Sequence, residues 1–357
     1  MPRLTRADLD SLPSYIPGRG LPGAIKLASN EVPYGPLPGV VEAIAEAAAG
    51  AHRYPDMGVV ALREALAERV GVDPERIATG CGSVALTEHL VRTTCMPGDE
   101  VVHAWRSFEA YPIITAVAGA SGVRVPNTAD HGHDLAAMAD AITERTRLVL
   151  VCNPNNPTGT AIRRAELDRF LDAVPPTVAV VVDEAYREFV TDPAVPDGLV
   201  TYGERPNVVV LRTLSKAWGL AALRIGFLVA APEVAAAVRK VVTPFSTSGA
   251  AQAGALAALR AGDEMARRVA LVVAERDRLL AGVRKLVPDV PDTEANFVWL
   301  PMGEGSAGFA AACERAGITV RAFQGDGVRV SVGTPEENDA FLAAAEAALT
   351  SPSGRPA

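Results

Sequence analysis

The sequence predicts an α/β protein: a large domain with a mostly parallel central sheet flanked by helices, a smaller α+β C-terminal domain and an N-terminal arm. Its 357 residues exceed the usual length of one domain. The hydrophobic fraction of 49% is enough for a sizeable core and excludes a disordered chain. Between about residues 77 and 230, short β-branched runs alternate with helical stretches, which is typical of a parallel sheet covered on both faces.

The first two predicted units are the arm and the large domain. Residues 1–38 are rich in proline and glycine and predict an extended arm. The large domain is expected to cover residues 39–245 and to open with helices at 39–49 and 59–70. Its predicted strands are Glu100–Ala104, Arg147–Cys152, Val178–Asp183, Asn207–Leu211 and Ile225–Ala230.

The smaller domain is expected to cover residues 246–357. Residues 232–287 have a largely helical pattern that crosses into it, and a final helix is predicted over 336–349. Its predicted strands are Phe297–Leu300, Ile318–Val320 and Val328–Val332.

Charge, cysteine content and hydropathy exclude several classes of protein. With 34 basic and 42 acidic residues the net charge is −8, which disfavours binding to nucleic acid or to an anionic membrane surface. The four cysteines form no C-x-x-C pair, as expected of a protein in the reducing cytoplasm. The sequence contains no uncharged apolar stretch of about 18 residues, so we expect no membrane span. We also recognise no secretory signal. His131-Gly-His133 lacks a further ligand nearby, so we expect solvated histidines and no metal site.

Lysine is rare in this chain, with four lysines against 30 arginines. A GC-rich genome explains most of that imbalance, but arginine cannot form an imine or transfer a proton near neutral pH. Lys216 stands out because the uncharged run Ala217–Leu223 follows it. A partly desolvated ammonium has a lowered pKa, as an amine nucleophile requires.

Polar segments follow three successive predicted strands, at the sheet edge where open α/β sheets bind ligands. These segments are Asn153–Gly159, Asp183–Tyr186 and Arg212–Lys216. Each has an ordinary interpretation alone: a turn, a helix cap or a surface lysine. Together they indicate a pyridoxal phosphate site, with an amine for the aldehyde, a carboxylate for the pyridine nitrogen, and a phenol and an amide for the ring oxygen.

A phosphate site is predicted at Thr79–Ala85, interpreted as a small-residue loop that enters a helix whose N-terminal amides bind an anion. Ser215 and Arg224 flank Lys216 and can complete it. Gly80-x-Gly82-x-x-Ala85 also resembles a dinucleotide fingerprint, but the next strand does not end in the acidic residue that this fingerprint expects. It is followed by Phe108, which can cover the face of a flat ring.

Arg329 lies in the alternating segment Gly327–Val332, on the face opposite the three valines. It is either an exposed arginine on a half-buried strand or a guanidinium that binds a substrate carboxylate through two hydrogen bonds. The second interpretation is favoured because the rest of the site calls for a carboxylate binder.

The chain resembles the fold-type-I pyridoxal-phosphate-dependent aminotransferases, in the group that contains the histidinol-phosphate and the aromatic amino acid aminotransferases. The matching segments follow the family's order over nearly the whole chain. They are Leu27–Glu31, Arg53–Asp56, Gly80–Ser83, Asn153–Gly159, Asp183–Tyr186, Thr213–Lys216, Arg224–Phe227, Ala295–Phe297 and Val328–Gly333.

The resemblance implies pyridoxal 5'-phosphate as cofactor and assigns roles around it. Lys216 would bind the aldehyde as an imine and then move the Cα proton, in a ping-pong reaction. Asp183 would face the pyridine nitrogen, and Tyr186 and Asn156 would face the ring oxygen. The phosphate would be held by Gly82, Ser83, Thr213, Ser215 and Arg224.

The remaining implied roles concern the ring face, the substrate and a second subunit. Phe108 would stack on the ring, and Arg329 with Asn156 would bind the carboxylate of the substrate. Tyr54 would reach the phosphate of the neighbouring subunit, which implies a homodimer with shared active sites, with the arm covering the partner's site. The sequence does not decide whether Arg321 or Asn296 contacts the substrate side chain.

The two subfamilies share these residues, so the substrate rests on smaller differences. Pro13–Gly18, Cys81–Val84 and Trp105–Tyr111 resemble the actinobacterial aromatic members. The expected reaction is amino transfer from phenylalanine or tyrosine to 2-oxoglutarate, with a histidinol-phosphate aminotransferase as the alternative. A ligand-sensing regulator is disfavoured because the chain is acidic and leaves no room for an N-terminal DNA-binding module. A nicotinamide dehydrogenase is disfavoured because the strand after the glycine motif does not end in the acidic residue that a dinucleotide fingerprint expects.

Overall fold

The computed structural model of the protein describes residues 4–350. Its main element is a seven-stranded sheet. In spatial order the strands are β2 (Ile77–Cys81), β8 (Ile225–Val229), β7 (Val208–Thr213), β6 (Ala179–Asp183), β5 (Thr146–Cys152), β3 (Glu100–Trp105) and β4 (Ser121–Pro126).

The predicted mostly parallel sheet is confirmed, with two differences. β8 runs antiparallel to both of its neighbours, β2 and β7. The two edge strands, β2 and β4, have no counterpart among the predicted strands. Ala78–Gly80 in β2 are small residues, and β4 alternates Gly, Val, Arg and Val, so neither resembles the continuous apolar runs of the buried strands. Thr79–Cys81 therefore end a strand and are not part of a loop.

Helices cover both faces of this sheet. Along β5, Leu148 and Leu150 pack into the apolar cluster on one face, and Val149 and Val151 pack into the cluster on the other. The α-helices within residues 4–350 are α1 (Val40–Ala48), α2 (Val60–Val70), α3 (Gly82–Thr94), α4 (Ala110–Val117), α5 (Leu135–Asp140), α6 (Arg164–Ala173), α7 (Gly198–Tyr202), α8 (Pro232–Val241), α9 (Gly249–Arg260), α10 (Gly262–Arg284), α11 (Ser306–Arg315) and α12 (Pro335–Thr350).

A second, mixed sheet has four strands in the order β1 (Ile25–Leu27), β10 (Ile318–Phe323), β11 (Gly327–Ser331) and β9 (Phe297–Leu300). β1 belongs to the predicted arm and pairs in parallel with β10. In the antiparallel pairing of β10 with β11, Arg321 lies directly opposite Arg329. The boundaries at 1–38, 39–245 and 246–357 stay a prediction, and their outermost residues, 1–3 and 351–357, lie outside the described residues.

No helix within residues 4–350 is long and apolar enough to cross a membrane.

Candidate active site

The carboxyl ends of β5, β6 and β7 meet at one cavity of about 220 Å³. The register explains this meeting, because Cys152 pairs with Asp183 and Asp183 pairs with Leu211, so the three strands end side by side. The wall of the cavity contains most of the predicted site residues: Ser83, Phe108, Asn156, Asp183, Tyr186, Thr213, Ser215, Lys216, Arg224 and Arg329.

Lys216 extends into this cavity from the turn after β7. Its Nζ donates a hydrogen bond to the backbone oxygen of Ser29 at 3.0 Å. Burial and, to a smaller extent, the nearby positive charge of Arg329 lower the pKa of Lys216 to about 7. A large fraction of this amine is therefore uncharged near neutral pH, as a nucleophile or a general base requires.

Asp183, the last residue of β6, is a buried carboxylate with one open position. Its Oδ2 accepts a hydrogen bond from the hydroxyl of Tyr111 at 2.7 Å. Its Oδ1 is buried and has no hydrogen-bond partner among residues 4–350. Burial raises the pKa of Asp183 to about 6. A buried carboxylate oxygen without a partner fits the protonated nitrogen of a pyridine ring.

Tyr186 and Asn156 line the same cavity as Asp183 and Arg329. The Tyr186 hydroxyl accepts a hydrogen bond from Asn30 Nδ2 at 3.0 Å, and burial raises the pKa of Tyr186. Asn156 Oδ1 accepts a hydrogen bond from Arg329 Nη1 at 2.6 Å. The two side chains therefore present a phenol and an amide on the same wall, as the sequence predicted for a ring oxygen.

Arg329 is the buried cation of the cavity. Its Nη2 donates to the backbone oxygen of Ala28 at 2.8 Å, and its Nε is buried with no partner in the described part of the chain. Burial lowers its pKa. No carboxylate is hydrogen-bonded to Arg329 within residues 4–350, so the guanidinium is available to an anionic ligand.

The N-terminus of α3 and the turn that follows Lys216 form a cradle for an anion. Gly82 begins α3 with a φ of 79°, and a Cβ at this position would lie 2.4 Å from Arg224 Nη2, so only glycine lets the guanidinium approach the helix end. Arg224 Nη1 donates to Ser215 Oγ at 3.2 Å. Ser83 and Thr213 lie on the same wall of the cavity. Helix amides, hydroxyls and a guanidinium are the groups that bind phosphate.

Three of the residues named from the sequence do not line this cavity: Gly82, which begins α3, and Tyr54 and Asn296. Tyr54 is 82% exposed and stacks on Phe245, with the ring centroids 4.5 Å apart. Asn296 is fully buried and donates to the backbone oxygen of Asn30 at 3.1 Å. Of the two residues that the sequence left open as contacts of the substrate side chain, Arg321 lines the cavity and Asn296 does not.

Sequence reasoning assigned no role to three residues of the site: Tyr111, Asn30 and Glu109. Tyr111 lies in α4 and Asn30 in the turn after β1, so their contacts with Asp183 and Tyr186 join distant parts of the chain. Tyr111 and Asn30 both occur in segments that resemble the aminotransferases, and this resemblance was the one signal in the sequence that could have pointed to them. Glu109 lines the cavity beside Arg321.

Solvated histidines were predicted at 131 and 133, and for His133 this prediction is wrong. Both ring nitrogens of His133 are shielded from solvent, and burial lowers its pKa to about 4. The loop packs against the body of the protein, where the ring of His131 contacts Trp299. Residues 4–350 contain no group of three or more His, Cys, Asp or Glu side chains that could hold a metal ion.

Comparison with known proteins agrees with this geometry. Residues 22–344 match the family described as aminotransferase class I and II. The chain belongs to that family. This aminotransferase is 58% identical over 345 residues to the aromatic amino acid aminotransferase of Streptomyces avermitilis, covering 96% of each chain. It is 58% identical over 339 residues to the protein of the same name from Rhodococcus jostii, covering 95% of this chain and 94% of the relative.

Solved structures give the same family and fold. The histidinol-phosphate aminotransferase from Sinorhizobium meliloti, solved in complex with pyridoxal 5'-phosphate, superposes with a TM-score of 0.84 at 29% identity, covering 96% of this chain and 98% of that one. The aspartate aminotransferase from Thermotoga maritima has a TM-score of 0.81 at 22% identity, covering 92% of each chain, and supports the fold. The predictions of an aminotransferase and of its α/β fold are confirmed.

Proposed function

We propose that this aminotransferase transfers the amino group of an aromatic amino acid, phenylalanine or tyrosine, to 2-oxoglutarate with pyridoxal 5'-phosphate as cofactor. The observation that carries the substrate assignment is the 58% identity to aromatic amino acid aminotransferases over nearly their whole length. The relative named for histidinol phosphate shares half that identity.

The residues of the cavity fit this cofactor. The open Oδ1 of Asp183 would hold the proton on the pyridine nitrogen, Tyr186 and Asn156 would bind the ring oxygen, and Phe108 would cover the ring face. When bound, pyridoxal 5'-phosphate supplies an aldehyde and a ring that accepts electrons from the substrate. The cradle for its phosphate consists of Gly82, Ser83, Thr213, Ser215 and Arg224.

Lys216 would attach the cofactor and then move the proton of the substrate. Its amine is uncharged in a large fraction of molecules because burial lowers its pKa to about 7. An uncharged amine accepts the Cα proton, and the ammonium formed can donate it again.

Arg329 and Asn156 would orient the amino acid. The unpartnered Nε of Arg329 and its two Nη atoms can bind an α-carboxylate through two hydrogen bonds, and Asn156 holds the guanidinium at 2.6 Å. The rings of Tyr15, Phe108 and Phe323 line the same cavity and suit an aromatic side chain.

We further propose a cytoplasmic homodimer in which Tyr54 reaches the phosphate of the partner subunit. Its 82% exposure in the isolated chain and its stacking on Phe245 support an intersubunit role, because a large exposed aromatic pair is typical of an interface. The arm, residues 1–38, would cover the partner's site.

The test is a set of half-reactions in the absence of a keto acid. Enzyme loaded with pyridoxal 5'-phosphate is mixed with phenylalanine, tyrosine or histidinol phosphate, and the loss of its visible absorbance is followed in a single turnover. Phenylalanine and tyrosine should react fastest. Rapid reaction with histidinol phosphate alone would replace the aromatic assignment with the alternative.

A further inference from the structure

Residues 28–30, directly after β1, contact three residues of the proposed active site. The backbone oxygens of the first two accept hydrogen bonds from Arg329 Nη2 at 2.8 Å and from Lys216 Nζ at 3.0 Å. The third residue, Asn30, uses its side chain, and its Nδ2 donates to the Tyr186 hydroxyl at 3.0 Å. This short segment of the arm therefore reaches the amine, the guanidinium and the phenol of the cavity.

The backbone of Asn30 is held in one conformation. Asn30 is buried and has a φ of 54°, in the left-handed region that asparagine, aspartate and glycine adopt most readily. Its backbone N–H donates to Ser331 Oγ at 2.8 Å, and its backbone oxygen accepts from Asn296 Nδ2 at 3.1 Å. The end of β11 and the residue before β9 thus fix where the side chain of Asn30 begins.

The hydroxyl of Ser331 decides which way the Asn30 amide faces. This hydroxyl is buried and already accepts the Asn30 N–H, so its own proton requires an acceptor. Within residues 4–350 the acceptor hydrogen-bonded to it is Asn30 Oδ1, at 3.1 Å. A rotated amide would present its NH2 group to Ser331 and leave the buried proton without an acceptor. The amide oxygen therefore faces Ser331, and the NH2 group faces Tyr186.

The direction of the amide also fixes the role of the Tyr186 hydroxyl. Because its oxygen accepts from Asn30, its proton must point elsewhere. The charged or titratable groups that act on Tyr186 are Arg329, Asp183 and Cys152, and none of them is hydrogen-bonded to this hydroxyl in the described part of the chain. The proton has no acceptor among those residues, and Tyr186 lines the cavity.

We propose that Asn30 is a positioning residue that directs the hydroxyl proton of Tyr186 into the cavity, toward the ring oxygen of the cofactor. This inference rests on the proposed function, in which Tyr186 binds that oxygen. A hydrogen bond donated to the ring oxygen reduces the negative charge there. It thereby lowers the pKa of the neighbouring Lys216 nitrogen in the loaded enzyme. Asn30 acts on this nitrogen through Tyr186.

The deciding variant is Asn30→Asp in the enzyme loaded with pyridoxal 5'-phosphate. Aspartate has nearly the same shape, tolerates the same backbone conformation and can still accept from Ser331. Its second oxygen can only accept, so the Tyr186 proton should turn away from the cavity. The pH midpoint at which the visible absorbance titrates should rise by at least about one pH unit. An unchanged midpoint would refute the role of Asn30.

Two controls separate the direction of the hydrogen bond from charge and from packing. Tyr186→Phe has no hydroxyl proton to redirect, so adding Asn30→Asp to it should raise the midpoint by less than half as much, through the new negative charge alone. Asn30→Gly keeps the backbone conformation and leaves the Tyr186 proton free to point into the cavity, so its midpoint should stay close to that of the parent. An equal rise in both backgrounds, or a rise in Asn30→Gly as large as in Asn30→Asp, would overturn the proposal.

The titration requires no amino acid, so its outcome is separate from the donor preference. A loaded parent enzyme that reacts with neither phenylalanine nor tyrosine would refute the proposed substrates, while the titrations would still decide the role of Asn30. A parent that gains no visible absorbance with pyridoxal 5'-phosphate would refute the cofactor and, with it, this inference.

Discussion

Two carboxylates that are adjacent in the sequence, Asp183 and Glu184, lie on opposite sides of the end of β6 and have opposite surroundings. Asp183 faces the cavity, where Tyr111 binds one oxygen and the other has no partner among the described residues. Glu184 has both oxygens bound: Oε1 accepts from the backbone N–H of Gly198 at 2.6 Å, and Oε2 accepts from Arg212 at 2.8 Å.

The difference separates structure from function at this strand end. Burial raises the pKa of both carboxyl groups, but Arg212 opposes the change at Glu184 and no cation is hydrogen-bonded to Asp183 within residues 4–350. A buried polar group that serves the fold is satisfied by the fold itself, whereas one that serves a ligand is left open toward it.

The largest expected effect on the reaction rate comes from removing the amine of Lys216 from the cavity. Lys216→Ala should slow the single-turnover reaction with phenylalanine by at least about a thousandfold, because no other primary amine lines the cavity in residues 4–350. Lys285→Arg is the control, since Lys285 is exposed and should tolerate arginine. A Lys216→Ala enzyme that reacts at nearly the parent rate would show that this lysine is not the catalytic amine.

Asp183→Asn should lower the same rate by about a hundredfold, because an amide does not hold the proton on a pyridine nitrogen. It should also raise the free energy of unfolding of the cofactor-free protein by about 3 kcal/mol at neutral pH. The native pKa of about 6 lies above the ordinary value of 3.8, so ionised Asp183 destabilises the fold above pH 6 and not below 3.8. Urea titrations of parent and variant above pH 6 and below pH 3.8 measure this difference in the free energy of unfolding. Equal activity of parent and variant would show that Asp183 is not part of the cofactor site.

Glu184→Gln should have the opposite result and so tests the comparison directly. It removes the charge that compensates the buried Arg212, and the free energy of unfolding should fall by about 2 kcal/mol. Arg212 still donates to Asp197 at 2.8 Å, so the destabilisation should be smaller than that caused by leaving a buried charge without any partner. The rate with phenylalanine should hardly change. A large loss of rate with normal stability would mean that Glu184 also belongs to the active site.

The smallest expected effect is that of Tyr111→Phe, which removes the hydrogen bond to Asp183 Oδ2. Losing a donor to the carboxylate raises the pKa of Asp183 further, so the affinity for pyridoxal 5'-phosphate, measured by equilibrium dialysis, should fall about tenfold near pH 6 and less at higher pH. Tyr202→Phe is the control, because Tyr202 is buried and donates to Asp168 at 2.8 Å away from the cavity. An affinity loss that does not depend on pH would indicate a packing role for Tyr111.

The sequence predicted the strands whose ends carry the site, because buried parallel strands are continuous apolar runs. It missed β2 and β4, which lie at the edges of the sheet and lack such runs. It also did not predict that β8 is antiparallel, since an apolar run has the same composition in either direction. The solvated interpretation of His133 failed because a polar loop sequence does not reveal what packs over it.

By itself the sequence determined the fold class, the family and the chemical groups at the strand ends, since these depend on local patterns and on the direction of parallel strands. Only the tertiary structure decided which polar atoms are paired and which are open. Tyr111 lies 72 positions from Asp183, and Glu109 lies 212 positions from Arg321. No local pattern encodes such pairs, because they form only when packing brings distant segments together and removes the water that would otherwise compete for their hydrogen bonds.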